Sequence, residues 1–203
     1  MQRAGAEQST WDDAILAALV FAVDPSGIGG VRLRAAASPL RERWLDLLRS
    51  LLPVAAPLRR VPIHAGDDRL LGGLDIAATL RSGRVVVERG LLAEANGGVI
   101  VLAMAERLGG LAVSRIAAAL DTGSVVIARD GVERCSPARF GVIALDEGAS
   151  PDECPPPSLI DRLALSVDLA GIGMGAVIPD GCAERATLAR QTVGQVSLGD
   201  DVL

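Results

Sequence analysis

The 203-residue sequence contains no lysine and no tyrosine, and it has only two phenylalanines and two tryptophans. So few aromatic rings argue against the stacking surfaces on which proteins hold single-stranded nucleic acid. The net charge of −5 and the pI near 4.9 argue in the same way against nucleic acids and anionic membranes as partners. We therefore expect no nucleic-acid partner, and a core built from Ala, Leu, Val and Ile.

Cysteine and long apolar runs are also scarce. The three cysteines, Cys135, Cys154 and Cys182, form no close pair, which is typical of reduced thiols in a cytoplasmic protein. With only His64 to accompany them, we expect no metal site. No apolar run reaches the roughly 18–20 residues of a membrane span. The sequence therefore predicts a cytoplasmic protein without a membrane span.

Patterns of helices and strands alternate along residues 1–170, which favours an α/β domain with a parallel sheet. Continuous apolar runs at Gly98–Leu102 and Phe140–Leu145 predict strands buried on both faces. Residues 171–203 predict a connector towards an incomplete helical lid, and Leu198–Leu203 is typical of the opening of a truncated helix.

Further elements follow from caps, turns and periodicity. Ser38 and Pro39 predict the cap and first position of a helix that ends near Leu52. The other expected helices are Trp11–Ala22, Leu74–Leu80, Leu111–Leu120 and Ser158–Leu163. The other expected strands are Val31–Arg34, Arg60–His64, Arg84–Glu88, Ala164–Leu169 and the hairpin arms Ser124–Ala128 and Val132–Cys135.

The stretch Gly27–Gly30 is rich in glycine and in that respect resembles a phosphate loop. It precedes the strand Val31–Arg34, whereas a phosphate loop must follow a strand and open a helix so that backbone N–H groups face the phosphates. We interpret it as a turn.

The strand–loop–helix arrangement of a phosphate site occurs one element later, within residues 31–52. That loop contains Ala35, Ser38, Arg41 and Glu42, has no glycine, and loses one N–H to a proline. Arg41 offers positive charge, but Glu42 lies where a hydroxyl should hold Mg²⁺. A bound nucleotide is therefore expected to be weak or absent.

Several ordered blocks resemble the AAA+ core of the magnesium chelatase family, whose ATPase subunit carries GGV, GDRGTGKS, LLP, DRxxGxLDI, GLLxxAxxG, ARF and QLLDRF. The matching blocks are Gly29–Val31, Leu51–Pro53, Asp68–Ile76, Gly90–Gly98, Ala138–Phe140 and Ser158–Leu163. The resemblance covers roughly residues 12 to 170. It implies an AAA+ P-loop-type parallel sheet flanked by helices, with β-hairpin insertions and a truncated C-terminal lid.

The departures from this pattern fall on the catalytic positions. The resemblance places the loop glycine on Ala35, the lysine on Arg41 and the serine on Glu42, and it places both Walker B acids on Ala103 and Met104. The sensor asparagine falls in the Asp146–Glu147 region, where carboxylates would repel a γ-phosphate. These losses resemble the degenerate AAA+ module of the family's D-type subunit.

The resemblance implies a role inside an enzyme complex. The chain would form a hetero-oligomeric ring with the ATPase subunit and act on the large porphyrin-binding subunit. The complex would use ATP and Mg²⁺ to insert Mg²⁺ into protoporphyrin IX, although this chain binds neither tightly. Two alternatives stay open: a nucleotide-sensing module in which Arg41 replaces lysine, and a remodelling scaffold of a MoxR-like or MCM-like AAA+ system.

Arg162 is the candidate catalytic residue, because in related AAA+ proteins the arginine of this block reaches a neighbour's ATP in trans. The sequence leaves open a structural salt bridge with Asp161 or Glu147 instead. Arg139 is a weaker candidate that we expect at a strand entry. Glu106 and Arg107 are expected to form a surface pair.

Overall fold

The computed structural model describes residues 10–129, 132–150, 152–173 and 177–193. Its strands are β1 (Gly30–Arg34), β2 (Leu58–Val61), β3 (Gly72–Leu74), β4 (Val87–Arg89), β5 (Gly98–Leu102), β6 (Ser124–Arg129), β7 (Val132–Pro137), β8 (Phe140–Asp146) and β9 (Leu165–Asp168). Its helices are α1 (Trp11–Val23), α2 (Pro25–Ile28), α3 (Pro39–Leu51), α4 (Asp67–Leu71), α5 (Ile76–Ser82), α6 (Leu91–Glu94), α7 (Gly110–Thr122), α8 (Pro157–Ile160) and α9 (Cys182–Thr192).

Five strands form one sheet in the order β2-β5-β8-β1-β9, and all four neighbouring pairs are parallel. The central strands β5 and β8 are buried at every position. The predicted α/β class with a parallel sheet is confirmed. Because the strands are parallel, their carboxyl ends lie together at one edge of the sheet and their amino ends at the other.

Helices cover both faces of the sheet. Alternate residues of β1 and β8, such as Leu33 and Leu145, pack against α1, α3 and α9 in one core. Val142 and Ala144 of β8 point to the other face and pack with residues of α6, α7 and α8 in a second core. This alternation follows from the two-residue period of a strand.

Two antiparallel pairs lie outside the main sheet. β3 pairs with β4 around α5, and β6 pairs with β7. The predicted hairpin insertions are therefore present.

The strand predicted at Arg84–Glu88 lies at Val87–Arg89, where it pairs with β3. Three further predicted boundaries were wrong for local reasons. The strand predicted at Arg60–His64 lies at Leu58–Val61 because Pro62 cannot donate to the ladder, and His64 is exposed in the following turn. The helix predicted at Leu74–Leu80 begins later, because the Asp75 side chain accepts the Ala78 N–H at 2.8 Å and caps α5.

The predicted helix Ser158–Leu163 is shorter than expected. It ends at Ile160 because Arg162 donates its N–H to the Leu159 carbonyl at 3.0 Å, which closes a tighter turn.

Helix α9 was not anticipated. Its Arg190 guanidinium donates to the carbonyls of Ala22 (3.0 Å) and Leu51 (2.8 Å), at the ends of α1 and α3. These contacts satisfy helix-terminal carbonyls that have no intrahelical partner. The predicted division at residue 170 stays a prediction, and Leu198–Leu203 lies outside the described residues.

Trp44 of α3 offers a test of this packing. Its side chain is fully buried and its indole N–H donates to the Ala14 carbonyl of α1 at 2.8 Å. We expect Trp44→Ala to lower the free energy of unfolding by about 3–5 kcal/mol, measured by urea denaturation followed by circular dichroism. The control Val54→Ala, at a fully exposed position, should change it by less than about 0.5 kcal/mol. Equal effects of the two variants would contradict this packing.

Candidate functional site

The carboxyl edge of the sheet carries the positions where the resemblance places nucleotide chemistry. Three segments meet there: the β1–α3 loop (residues 35–38), the turn after β5 (residues 103–104) and the strap after β8 (residues 147–150). A cavity beside this loop measures about 570 Å³, which is within the size range of small-molecule sites. The loop, the strap and residues 168–172 after β9 line it.

The β1–α3 loop is a short turn into a capped helix. The Ser38 hydroxyl accepts the Arg41 N–H at 3.3 Å, and Pro39 occupies the first helical position, as predicted. The Ala35 N–H donates to the Asp146 carbonyl at 3.0 Å. The Ser38 hydroxyl therefore caps α3, and the Ala35 N–H joins the loop to β8 instead of facing a phosphate.

Arg41 lies where the resemblance places the phosphate-binding lysine, and acids neutralise it. Its guanidinium donates to Glu147 at 2.8 Å and to Glu42 at 3.2 Å, and its side chain is only 11% exposed. The positive charge expected to be available for a nucleotide is thus already paired within the chain.

A fully buried carboxylate, Asp146, lies beside this pair at the end of β8. Arg32 donates to it through Nε (2.9 Å) and Nη2 (2.6 Å), and Arg34 donates through Nη1 at 3.2 Å. Arg32 and Arg34 are two residues apart on β1, so they lie on the same face of the sheet as Asp146. Two cations therefore share one buried anion.

The same network fixes the strap. Arg34 also donates to the carbonyls of Gly148 (3.1 Å) and Ser150 (3.0 Å), and the Gly148 N–H donates back to Asp146 at 3.1 Å. A side chain at Gly148 would collide with the Glu153 carbonyl at 2.0 Å. The strap is thus held against the cavity by charge-assisted hydrogen bonds, which are stronger than neutral ones.

The turn after β5 carries Ala103 and Met104, where the resemblance places the two Walker B carboxylates. Met104 is in the left-handed region (φ 47°), a conformation that costs a non-glycine residue on the order of 1–2 kcal/mol. Glu106 follows, and its carboxylate accepts the Glu147 N–H at 3.1 Å. The predicted ion pair is present, since Arg107 Nε lies 3.5 Å from Glu106 Oε1. Its expected surface location is wrong for Glu106, whose side chain is only 4% exposed.

The opposite, amino edge carries Arg162, just before β9. Its guanidinium donates to both oxygens of Asp121 at 2.7 and 2.5 Å, and to the Ser158 carbonyl at 2.5 Å. The partner acid is therefore Asp121 and neither Asp161 nor Glu147. These hydrogen bonds hold the pKa of Asp121 below its ordinary value and raise the pKa of Arg162.

Two further sequence features lie at this edge. Arg139 is exposed at the entry of β8, as expected, and its backbone N–H donates to Asn96 at 2.9 Å. Gly29 ends α2 with φ 77°, and its backbone is so close to Arg162 that a Cβ would lie 2.4 Å from the Arg162 carbonyl oxygen. The glycine-rich stretch Gly27–Gly30 thus packs against the backbone of Arg162, which agrees with its interpretation as a turn.

Sequence reasoning missed Arg32, Arg34 and Asp121. Two arginines alternating with Val31 and Leu33 on a strand predicted for a parallel sheet call for a counter-charge close by, which was the available signal. No comparable signal identifies Asp121, because the α7–Arg162 contact joins residues 41 positions apart.

The described part of the chain offers neither a group of metal ligands nor a helix that could span a membrane. Cys135, Cys154 and Cys182 are free thiols, and no three His, Cys, Asp or Glu side chains are grouped as metal ligands among the described residues. No described helix has the length and apolar character needed to cross a membrane.

No family model matches this chain, but it is similar to subunits of magnesium chelatase. The magnesium-chelatase 60 kDa subunit of Cereibacter sphaeroides is 45% identical over 166 residues, which are 81% of this chain and 26% of that protein. The magnesium-chelatase 60 kDa subunit of Rhodobacter capsulatus is 38% identical over 183 residues, 88% of this chain and 29% of that protein. The chain thus spans between a quarter and a third of these relatives.

Among solved structures, the complex between the BchI and BchD subunits of magnesium chelatase contains a similar chain. The TM-score is 0.63 at 26% identity, covering 88% of this chain and 63% of that one. The predicted AAA+ fold is confirmed.

The Asp146 network can be tested by changing its carboxylate. We expect Asp146→Asn to lower the free energy of unfolding by about 2–3 kcal/mol, because Arg32 and Arg34 then lie together without a counter-charge. The control is Asp46→Asn, which removes the acid of the exposed Asp46–Arg49 pair and should cost less than about 0.5 kcal/mol. Urea denaturation of both variants measures the difference, and a tolerated Asp146→Asn would contradict the role of the network.

Proposed function

The chain belongs to the magnesium chelatase family of AAA+ proteins, within the branch of its 60 kDa D-type subunits, and we propose that it is a platform module that does not hydrolyse ATP. The observation that supports this proposal is the salt bridge between Arg41 and Glu147, because the resemblance places the phosphate-binding lysine on Arg41.

Electrostatics favour an inactive pocket. A triphosphate entering the 570 Å³ cavity would face the carboxylates of Asp146, Glu147 and Asp168 along its wall. The nearby guanidiniums of Arg32, Arg34 and Arg41 already bind carboxylates, and the Arg41 side chain is only 11% exposed. A phosphate would therefore have to displace a paired acid to reach Arg41. That exchange returns little free energy, because one anion only replaces another.

The pocket also lacks the groups that ATP hydrolysis needs. Phosphoryl transfer needs a carboxylate to hold Mg²⁺ and a residue that orients the attacking water. Ala103 and Met104 supply neither, and the carboxylate of Glu106 accepts a backbone N–H instead. We therefore assign no hydrolytic step to this pocket.

The amino edge supports a role in a neighbour's site. Arg162 precedes β9, so it lies at the edge of the sheet opposite the chain's own β1–α3 loop. In a ring, the amino edge of one subunit can face the carboxyl edge of the next. Arg162 then supplies positive charge to the γ-phosphate of ATP bound by an adjacent ATPase subunit, which stabilises the transition state.

The platform would transmit this ATP-driven change to the porphyrin-binding large subunit. The assembled enzyme inserts Mg²⁺ into protoporphyrin IX at the expense of ATP, in the synthesis of chlorophyll or bacteriochlorophyll. Here Mg²⁺ is the substrate of the complex as well as the partner of ATP. The chain contributes an interface and an arginine, and the ATPase subunit contributes hydrolysis.

We predict that the purified chain alone has no ATP turnover above buffer and no saturable binding of a fluorescent ATP analogue at micromolar concentrations. The reason is the internal pairing of Arg41. The ATPase subunit, assayed in parallel, is the positive control. Saturable binding without turnover, abolished by Arg41→Ala, would support a nucleotide-sensing module instead, and Mg²⁺-dependent turnover would contradict the proposal.

A second prediction concerns Arg162. In a complex with the ATPase subunit, we expect Arg162→Ala to reduce ATP turnover at shared interfaces by on the order of 10³-fold, because the finger charge is lost. Arg49→Ala, which removes an exposed arginine of a surface pair on α3, is the matched control and should leave turnover unchanged. Steady-state phosphate release measures both, and unchanged turnover with Arg162→Ala would exclude the trans role.

A further inference from the structure

Arg162 is held in one orientation by two partners. Nε and Nη2 donate to the two oxygens of Asp121, and Nη1 donates to the Ser158 carbonyl. A guanidinium has five N–H donors in a rigid plane, so these contacts use three of them. No other group in the described part of the chain accepts from the remaining two, and the side chain is 31% exposed to solvent.

The backbone under Arg162 is fixed as well. The buried Leu159 anchors α8 in the core, and the Arg162 N–H donates to its carbonyl at 3.0 Å. Gly29 packs so closely on the Arg162 carbonyl that no side chain fits between them. The flexible part of this residue is therefore its side chain, and Asp121 is the charged group that restrains it.

The location of Asp121 is unfavourable for its own helix. It is the penultimate residue of α7, which ends at Thr122 and has no basic residue in its last turn. A carboxylate at a helix C-terminus is repelled by the helix dipole. The contact that offsets this repulsion is the ion pair with Arg162, which also lowers the pKa of the Asp121 carboxyl.

We infer that Asp121 is a positioning residue for Arg162: it holds the guanidinium plane so that its two remaining N–H groups can meet phosphate oxygens of a neighbouring subunit's nucleotide. The inference rests on the trans role of Arg162 proposed above. Pre-orientation matters because a freely rotating arginine must lose rotamer entropy in the transition state. Asp121 itself touches neither nucleotide nor substrate.

The test uses the protein assembled with the ATPase subunit and supplied with Mg²⁺ and ATP. We expect Asp121→Asn to reduce kcat for ATP hydrolysis about tenfold, with KM for ATP within about twofold of wild type. The loss is smaller than that of Arg162→Ala because the finger charge is still present. Asp46→Asn, on an exposed surface pair, is the matched control and should change neither constant.

A double variant separates positioning from a structural role. If Asp121 acts through Arg162, adding Asp121→Asn to Arg162→Ala causes no further loss of kcat. The amount of assembled complex, measured by size-exclusion chromatography, should be the same for all four proteins. Full turnover of Asp121→Asn overturns the inference. A further loss in the Arg162→Ala background also overturns it, because Asp121 would then act on the interface independently.

The single Arg162→Ala variant distinguishes the two proposals. If it lowers turnover while Asp121→Asn does not, the trans role of Arg162 stands and only the positioning role fails. If Arg162→Ala leaves turnover at the wild-type value, both fail.

Discussion

The buried carboxylate of Asp146 is the charge on which the carboxyl edge of the sheet depends. Two arginines on the neighbouring strand β1 donate to it, and this buried carboxylate would be costly to bury without them. The hydrogen bonds around this carboxylate also fix the strap after β8, since Arg34 donates to the Gly148 carbonyl and Asp146 accepts the Gly148 N–H. The neighbouring Glu147 then lies within 2.8 Å of Arg41. An internal ion-pair network thus lies where the resemblance places a phosphate-binding site.

The two edges of the sheet therefore differ in how their arginines are paired and exposed. At the carboxyl edge, Arg41 and Glu147 neutralise each other, and Ala103 and Met104 bring no carboxylate to a magnesium ion. At the amino edge, Arg162 keeps a solvent-accessible guanidinium that the chain orients but does not enclose. A domain built in this way needs no nucleotide to balance the charges beside its cavity, and its exposed guanidinium is the group to which we assign a role on a neighbour's nucleotide. This division fits a subunit that supports catalysis by its neighbours.

The parallel sheet, its buried strands and the capped helix α3 were predictable, because apolar runs and the Ser38–Pro39 cap are local signals. The loss of catalytic residues stays a prediction, because it rests on the resemblance compared position by position. The pairing of the remaining charges was not predictable: Arg32 with Asp146, and Arg162 with Asp121, join residues 114 and 41 positions apart. Helix α9 was missed because its apolar pattern is weak. What holds it in place is the contact of Arg190 with the ends of α1 and α3, which the sequence does not show.

The most direct test is a high-resolution structure of the full-length protein assembled with its ATPase subunit and a non-hydrolysable ATP analogue. We predict nucleotide in the pockets of the ATPase subunits, Arg162 directed at the phosphates of one of them, and Arg41 still bound to Glu147 in a pocket of this chain that holds no nucleotide. An analogue seated between the β1–α3 loop and the strap, with Arg41 turned from Glu147 onto its phosphates, would contradict the account.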